Sequence, residues 1–475
     1  MREVELRTQS LRRFVLVMGD APVRSAREIA EDIAESLAGR VFWNINSTSV
    51  GGGVAEMLLP LVGYARGAGI DARWLVIDGS PDFFRLTKRL HHALHGSPGD
   101  GSSLGPDEHR IYQETLHLNA QELGPRIRER DVVLLHDPQT AGLAPGLMRA
   151  GARVVWRCHI GSDHPNEQTE AGWRFLQPYL EAVPRCVFSR RAYVPSLCDH
   201  GKSTIIPPSI DPFSAKNCDL DPALLMTTLV HTGLVEGPPP DPAEHRFRRT
   251  DDTWGRIERR AQIVRLGRAP APDTPLVVQV SRWDPLKDPV GVLHGFARLV
   301  DGTTPAGAHL VLAGPNVEGV TDDPEGALTL NAVEEAWRGL PEAAQEHIHI
   351  VSLPTNDVEE NAIIVNALQR HATVVVQKSL KEGFGLTVTE AMWKSRPVVA
   401  SGVGGIQDQI EDGLSGLLLR DPHDLDQFAA LVRRLLESPD AAREMGAQAH
   451  ARARDEFLGV RHLLDYARLL RGLEP

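Results

Sequence analysis

The chain has 475 residues, too many for one compact core, and should fold as two or three domains. Apolar residues at 42% and charged residues at 24% are the proportions of a soluble globular protein and exclude disorder over most of the length. A net charge of −12 argues against a nucleic-acid scaffold, which needs a basic footprint, but leaves room for a local cationic pocket that binds a small anion.

The first residues, MREVELRTQSLRRF, contain no apolar signal core. The longest apolar runs, 14–18 and 132–135, fall far short of the ~20 residues that span a bilayer. Cys158, Cys186, Cys198 and Cys218 show no C-x-x-C spacing and read as reduced thiols. A cytoplasmic protein with no membrane or nucleic-acid partner is expected.

Runs rich in Val, Ile and Leu recur at 14–19, 41–45, 72–78, 131–137, 152–159, 185–188 and 203–208. They return at 275–281, 308–314, 347–353, 372–378, 396–401 and 415–420. Most are continuous rather than alternating, as in strands buried on both faces of a parallel sheet. Helical spacing lies between them. Over 54–68 it places Val54, Met57, Leu58, Leu61, Val62 and Ala65 on one side, with Pro60 expected to kink the helix. Two blocks of strand–helix alternation predict an α/β protein of two doubly wound, Rossmann-like domains. The first is expected over 1–220 and the second over 273–458. Between them, 221–272 shows no strand signal and reads as a Pro- and Arg-rich inserted linker. It carries Arg246, Arg248, Arg249, Arg256, Arg259, Arg260, Arg265 and Arg268, either on one surface helix or as a contact surface. A final helix over 459–475 is expected to pack back on the first domain.

In open parallel sheets, ligands sit beyond the carboxyl ends of the strands, so chemistry is expected just after each strand and in the cleft between two such domains. NSTSVGGGVAEML (46–58) joins a strand end to a helix start through three glycines. Gly52 and Gly53 would let the backbone approach an anion or a sugar hydroxyl, or simply make a tight turn. It is neither G-x-G-x-x-G nor a P-loop. In SRWDPLKDP (281–289), Arg282 and Lys287 bracket a turn, and two fixed cations there suit a diphosphate as well as a solvated loop. SLKEGFGLTVTEAMWK (379–394) sets Glu382 and Glu390 eight positions apart. Between them, Gly383, Phe384, Gly385 and Leu386 offer bare amides. LLHDPQ (134–139) and WRCHIG (156–161) place His136, Asp137 and His159 after successive strands. Asp322 and Asp323 read as a turn before a helix. No set of three or four converging metal ligands is evident.

Together these blocks resemble the GT-B fold retaining glycosyltransferases of family 4, whose E-x7-E element falls at Glu382 and Glu390 and whose phosphate-binding Arg and Lys fall at Arg282 and Lys287. The closer resemblance is to the trehalose synthase group, which joins a nucleotide-activated glucose to free glucose. It is carried by VFWNINSTSVGGGVAEML (41–58), FFRLTKRLHHALHG (83–96), VWRCHIGSDHPN (155–166), IIPPSIDPFSAKN (205–217), DDPEG (322–326) and KEGFGLTVTEAMWKSRPVVASGVGGIQDQIEDGLSG (381–416).

The resemblance implies a GT-B architecture with the active site in the cleft between the two domains, acceptor on the first and nucleotide donor on the second. Arg282 and Lys287 would neutralise the leaving diphosphate. Glu382 and the amides of Gly383 to Leu386 would hold the glucosyl hydroxyls, and Glu390 the ribose. His159 would lie near the reacting sugar, with Asp137 positioning hydroxyls. Gly52 and Gly53 would touch the donor. Thr87, Lys88 and His136 would serve the acceptor. The co-substrate would be ADP-, UDP- or GDP-glucose, with no cofactor or metal required, in a homo-oligomer. Retaining trehalose phosphorylases share the NSTSVGGGVAE-type block and are the rival expectation, beside a glucosyltransferase for another small acceptor.

Overall fold

A computed structural model of the protein describes residues 1–49, 52–198, 201–238, 245–300, 307–317 and 324–473. Asp322 and Asp323 lie outside the described residues, as do two residues of the 46–58 block. The chain divides into two compact units, Met1–Ser209 with Phe457–Pro475, and Ile210–Glu456.

The first unit is built on a seven-stranded sheet: β1 (Arg2–Glu3), β2 (Phe42–Asn46), β3 (Ala72–Val76), β4 (Val132–His136), β5 (Arg153–Cys158), β6 (Arg185–Phe188) and β7 (Ser203–Ile205), in the order β1-β3-β2-β4-β5-β6-β7. Only β1 runs antiparallel. The continuous apolar runs follow from burial on both faces. Trp43, Ile45, Val133, Leu135 and Trp156 enter one core. Phe42, Trp74, Val132, Leu134 and Val155 enter the other, which Tyr466, Ala467 and Leu470 complete. The Gly459–Arg471 helix therefore belongs to the first unit. Asp131, buried before β4, staples the sheet by accepting from Val41 N (2.9 Å), Trp43 Nε1 (3.0 Å) and Arg128 N (3.0 Å).

One local expectation is corrected. Residues 14–19, expected as a strand, close a 3-10 turn (Leu11–Phe14) and begin a helix (Val15–Met18). Leu11 and Phe14 are buried while Leu16 is 87% exposed, so the run has one apolar side, and the sheet edge is taken by Arg2–Glu3 instead. The Gly53–Gly67 helix runs through Pro60 without a break.

The second unit carries β10 (Gln262–Val264), β11 (Leu276–Val280), β12 (His309–Pro315), β13 (Ile348–Leu353), β14 (Val374–Gln377), β15 (Val398–Ser401) and β16 (Leu417–Leu419), in the order β10-β13-β12-β11-β14-β15-β16. All but β10 are parallel. The stretch expected to be a strandless linker supplies β10, a helix (Pro222–Thr232) and a hairpin of β8 (Arg246–Arg248) and β9 (Trp254–Arg256). Its strands are three residues long, and in the hairpin Phe247 and Gly255 are the buried positions, too little for an apolar pattern to register. Its arginines divide by role. Arg249 grips Asp357 and Arg259 grips Glu360, fastening the hairpin to the Val358–His371 helix, while Arg246 and Arg248 stack on exposed Trp254.

Strand order sets where a ligand can bind. In the first sheet the chain reverses direction at β2 and β4, and in the second at β11 and β14. At such switch points the loops diverge to opposite faces and leave a crevice beyond the strand ends. Among the described residues, no helix is long and apolar enough to cross a membrane.

Candidate active site

At the first switch point β4 ends in His136 and turns through Asp137, whose φ of 62° is a left-handed conformation rare outside glycine. Such strain persists only where the surroundings impose it, and it concentrates at functional sites. The His159 amide donates to Asp137 Oδ1 at 2.7 Å and Trp156 Nε1 donates to Asp137 O at 3.0 Å, fixing that turn against β5. Desolvation raises the Asp137 carboxyl to about 7, despite that amide and the charge of Arg157. Once ionised, such a carboxyl accepts hydrogen bonds at both oxygens, and protonation near neutrality withdraws part of that capacity.

His136 and His159 stack with ring planes 13° apart and His136 Nδ1 3.2 Å from His159 Nε2. His136 Nε2 lies 3.2 Å from Asn44 Oδ1. Desolvation, then Arg157, holds both histidines well below the usual imidazole range, so each carries one proton. Asn44 Oδ1 accepts from His136 Nε2–H, His136 Nδ1 accepts from His159 Nε2–H, and the lone pair of His159 Nδ1 is left to accept a further hydrogen bond. Nearby in sequence, Gln139 Oε1 is buried with no hydrogen-bond partner among the described residues, an orphaned acceptor that a donor group of a ligand would satisfy.

Beneath this group Arg157 is fully buried, with no carboxylate in ion-pair range among the described residues. Its Nη1 donates to His462 Nε2 at 2.7 Å and to the Tyr466 hydroxyl, and its Nη2 to Ile206 O at 3.0 Å. Ser209 Oγ lies 2.8 Å from His462 Nδ1. His462 must stay neutral to accept from the guanidinium, and desolvation, then Arg157, holds it so.

At the second switch point the loops after β11 and β14 are tied together by Leu380 N to Leu286 O (2.8 Å) and by the buried Lys378 paired with Asp288. Lys287 Nζ meets Glu382 Oε2 at 2.5 Å, and Ser379 Oγ reaches the same oxygen at 3.2 Å. Gln279 Nε2 holds Lys287 O at 2.8 Å. Gly385 takes φ of 87° and caps the Leu386–Trp393 helix, whose first amides face beyond the strand. Gln409 Nε2 donates to Phe384 O (2.5 Å), while Thr389 Oγ1 donates to Gln409 Oε1 (2.5 Å), which sets the Gly383–Phe384–Gly385 loop. Glu390 is buried a turn further on, with Lys216 Nζ 3.6 Å from its Oε1.

The structure thus groups His136, Asp137 and His159 in one unit, and Lys287, Glu382 and the 383–386 loop in the other. Gly52, at φ 83°, caps the helix that Gly53 begins, and both are exposed; a side chain added at Gly52 would meet open space. Arg282 is 64% exposed and pairs with Asp284 (3.2 Å) of its own turn. Thr87 is buried and bonds Phe84 O at 3.3 Å, with Lys88 exposed beside it, on the Pro81–Leu94 helix that abuts the short Asp137–Thr140 helix. Among the described residues, no three His, Cys, Asp or Glu side chains form a metal-holding group. Asn44, Gln139, Lys216 and Gln409 were not singled out from sequence. The signal for Asn44 was a polar residue inside a run otherwise apolar on both faces; Lys216 sits in a patternless turn and Gln409 ends a four-residue helix too short to show a pattern.

Two family models match the chain: "Trehalose synthase, N-terminal domain" over residues 44–195 and "Glycosyl transferases group 1" over residues 267–452. The chain is 35% identical to a trehalose synthase of Pyrococcus horikoshii, covering 100% of this chain and 99% of that one. It is 26% identical to a trehalose phosphorylase of Pleurotus pulmonarius, covering 90% of this chain and 56% of that protein. Among solved structures, a UDP-forming α,α-trehalose-phosphate synthase of Burkholderia xenovorans superposes with a TM-score of 0.66 at 17% identity, over 92% of this chain and 100% of that one. That likeness establishes a shared fold of two Rossmann-like α/β domains.

Proposed function

Because the chain belongs to the trehalose synthase family of glycosyltransferases, we propose that it transfers glucose from a nucleoside-diphosphate glucose to free glucose, with retention at the anomeric carbon, to form trehalose. The observation that carries the reading is Lys287 held 2.5 Å from Glu382 at the switch point of the second sheet, beside the glycine-rich turn that leads into the Leu386–Trp393 helix. A diphosphate needs cations, and a hexose needs fixed acceptors and donors.

In this reading Lys287, joined by Arg282, faces the diphosphate. Glu382 and the amides of Gly383 to Leu386 hold the glucosyl hydroxyls, and Glu390 holds the ribose. The bond from the anomeric carbon to the diphosphate oxygen breaks. A bond from that carbon to the acceptor hydroxyl oxygen forms on the same face, and the hydroxyl proton passes to the departing phosphate oxygen. No carboxylate nucleophile is required, since the two cations stabilise the charge that develops on the leaving group and take the part a metal would play. Asp137, His159 Nδ1 and Gln139 orient sugar hydroxyls.

The experiment is to incubate the protein with glucose and a panel of ADP-, UDP- and GDP-glucose and to identify product and linkage. Trehalose with inorganic phosphate, run in parallel, tests the phosphorylase reading that the Pleurotus relative keeps in view. Trehalose formed from a nucleotide sugar supports the proposal; phosphate-dependent cleavage with no nucleotide requirement refutes it.

A further inference from the structure

The turn at 211–218 has no regular secondary structure, yet many side-chain hydrogen bonds tie it down. Asp211 Oδ1 accepts from Phe213 N at 3.2 Å, and Asp211 O accepts from Asn217 Nδ2 at 3.1 Å. Two helices then grip its carbonyls. Asn366 Nδ2 donates to Ala215 O (3.0 Å) and Cys218 O (2.8 Å), and Arg370 Nη2 to Asn217 O (3.1 Å) and Cys218 O (2.9 Å). Trp393 Nε1 donates to Asn217 O at 3.0 Å. The buried ammonium of Lys394 donates to Asn217 Oδ1 (3.0 Å), Gln369 Oε1 (2.8 Å) and Glu390 O (3.3 Å). Lys394 and Glu390 lie one turn apart on the same helix, so the group that secures the turn also secures the backbone of Glu390. The residue this frame delivers is Lys216, whose Nζ lies 3.6 Å from Glu390 Oε1 with 25% of its side chain exposed.

We infer that Lys216 is a donor-specificity residue: together with Glu390 it recognises the vicinal diol of the nucleotide's ribose. This rests on the reading above that Glu390 binds that ribose. A carboxylate alone can only accept hydrogen bonds, whereas each hydroxyl of a diol is both donor and acceptor. An ammonium fixed beside the carboxylate supplies the missing donor, so the pair answers both hydroxyls. A site built to bond a hydroxyl rejects the analogue that lacks it far more strongly than an apolar pocket could. The frame matters because it fixes the backbone that carries Lys216, so that only the side chain remains to be ordered on binding.

The test is titration calorimetry with ADP, UDP and GDP, followed by the 2′-deoxy form of whichever binds most tightly, on the full chain as wild type, Lys216→Met and Lys216→Arg. Wild type should weaken on the order of tenfold when the 2′-hydroxyl is removed. Lys216→Met should bind the ribonucleotide on the order of tenfold more weakly and lose most of its preference over the deoxy form. Lys216→Arg should recover much of both. If Lys216→Met keeps the wild-type affinity and preference, or weakens ribo and deoxy forms equally, the inference is overturned and Glu390 acts without it. If wild type binds none of the three nucleotides, the donor reading fails and this one with it.

Discussion

The pair of Lys287 and Glu382 allows catalysis to be separated from folding. At 2.5 Å, and at the effective dielectric of a site near the surface, the gross attraction is about 7 kcal/mol, most of it offset by desolvating two side chains that are 17% and 11% exposed. Truncating one partner leaves the other charge poorly compensated. Lys287→Met should therefore destabilise the second unit by about 2–4 kcal/mol, since Glu382 keeps Ser379 Oγ and some solvent. Adding Glu382→Gln removes the stranded charge, and most of that stability should return. Turnover should behave differently. Lys287→Met should lose on the order of 10²–10³ in kcat through the missing stabilisation of the leaving diphosphate, and the double variant should recover none of it. Urea unfolding and single-turnover transfer from the nucleotide sugar, run on the same three proteins, read the two quantities. Turnover that recovers together with stability would show that Lys287 serves the fold only. Near-normal turnover in Lys287→Met would refute its placement at the diphosphate.

Three other perturbations are decisive. Unfolded histidines take up protons as pH falls through about 6.5, while His136 and His462 stay neutral in the fold; the stability they contribute is complete above that pH and lost below it, at about 1.4 kcal/mol each between pH 7.5 and 5.5. Chemical denaturation at the two pH values measures this. His462→Asn should shrink the difference by one such step, and a stability flat to pH 5.5 would contradict the network. Asp137→Asn should cut turnover by on the order of 10² and abolish an inflection near pH 7 in kcat/KM, below which wild-type activity falls as the carboxylate is protonated; an inflection that survives in the variant belongs to another group. Gly385→Ala adds a Cβ at φ 87°, 3.1 Å from Glu382 Cγ and Ile406 Cγ1, so about 1–2 kcal/mol of backbone strain and a displaced Glu382 should raise KM for the donor, as steady-state kinetics will report.

The sheets were legible because burial on both faces writes uninterrupted apolar runs, and runs such as VVLL at 132–135 and VVV at 374–376 recur in alternation with helical segments. The run at 14–18 misled because composition cannot tell a strand from a short one-sided helix; the difference lies in where Leu16 points. The hairpin at 246–256 was hidden because its strands are three residues long and the ion pairs that anchor it, from Arg249 and from Arg259 just after it, go to Asp357 and Glu360, a hundred residues away. The candidate site divides in the same way. Lys287 and Glu382 stand in loops that follow strands, where position alone suggests chemistry. Asn44, Lys216 and His462 acquire their significance from partners remote in the chain, and no local spacing records such a meeting.

The helix at 459–471 has a consequence for how the molecule is made. During synthesis it leaves the ribosome after the entire second unit, yet it supplies His462 and Tyr466, the groups that satisfy Arg157 at the heart of the first. The nascent first unit must wait through some 250 residues of translation with Arg157 Nη1 lacking His462 and Tyr466 and the apolar surface for Tyr466 and Leu470 open to its surroundings. The first unit can therefore reach its final packing only after the whole of the second has been synthesised.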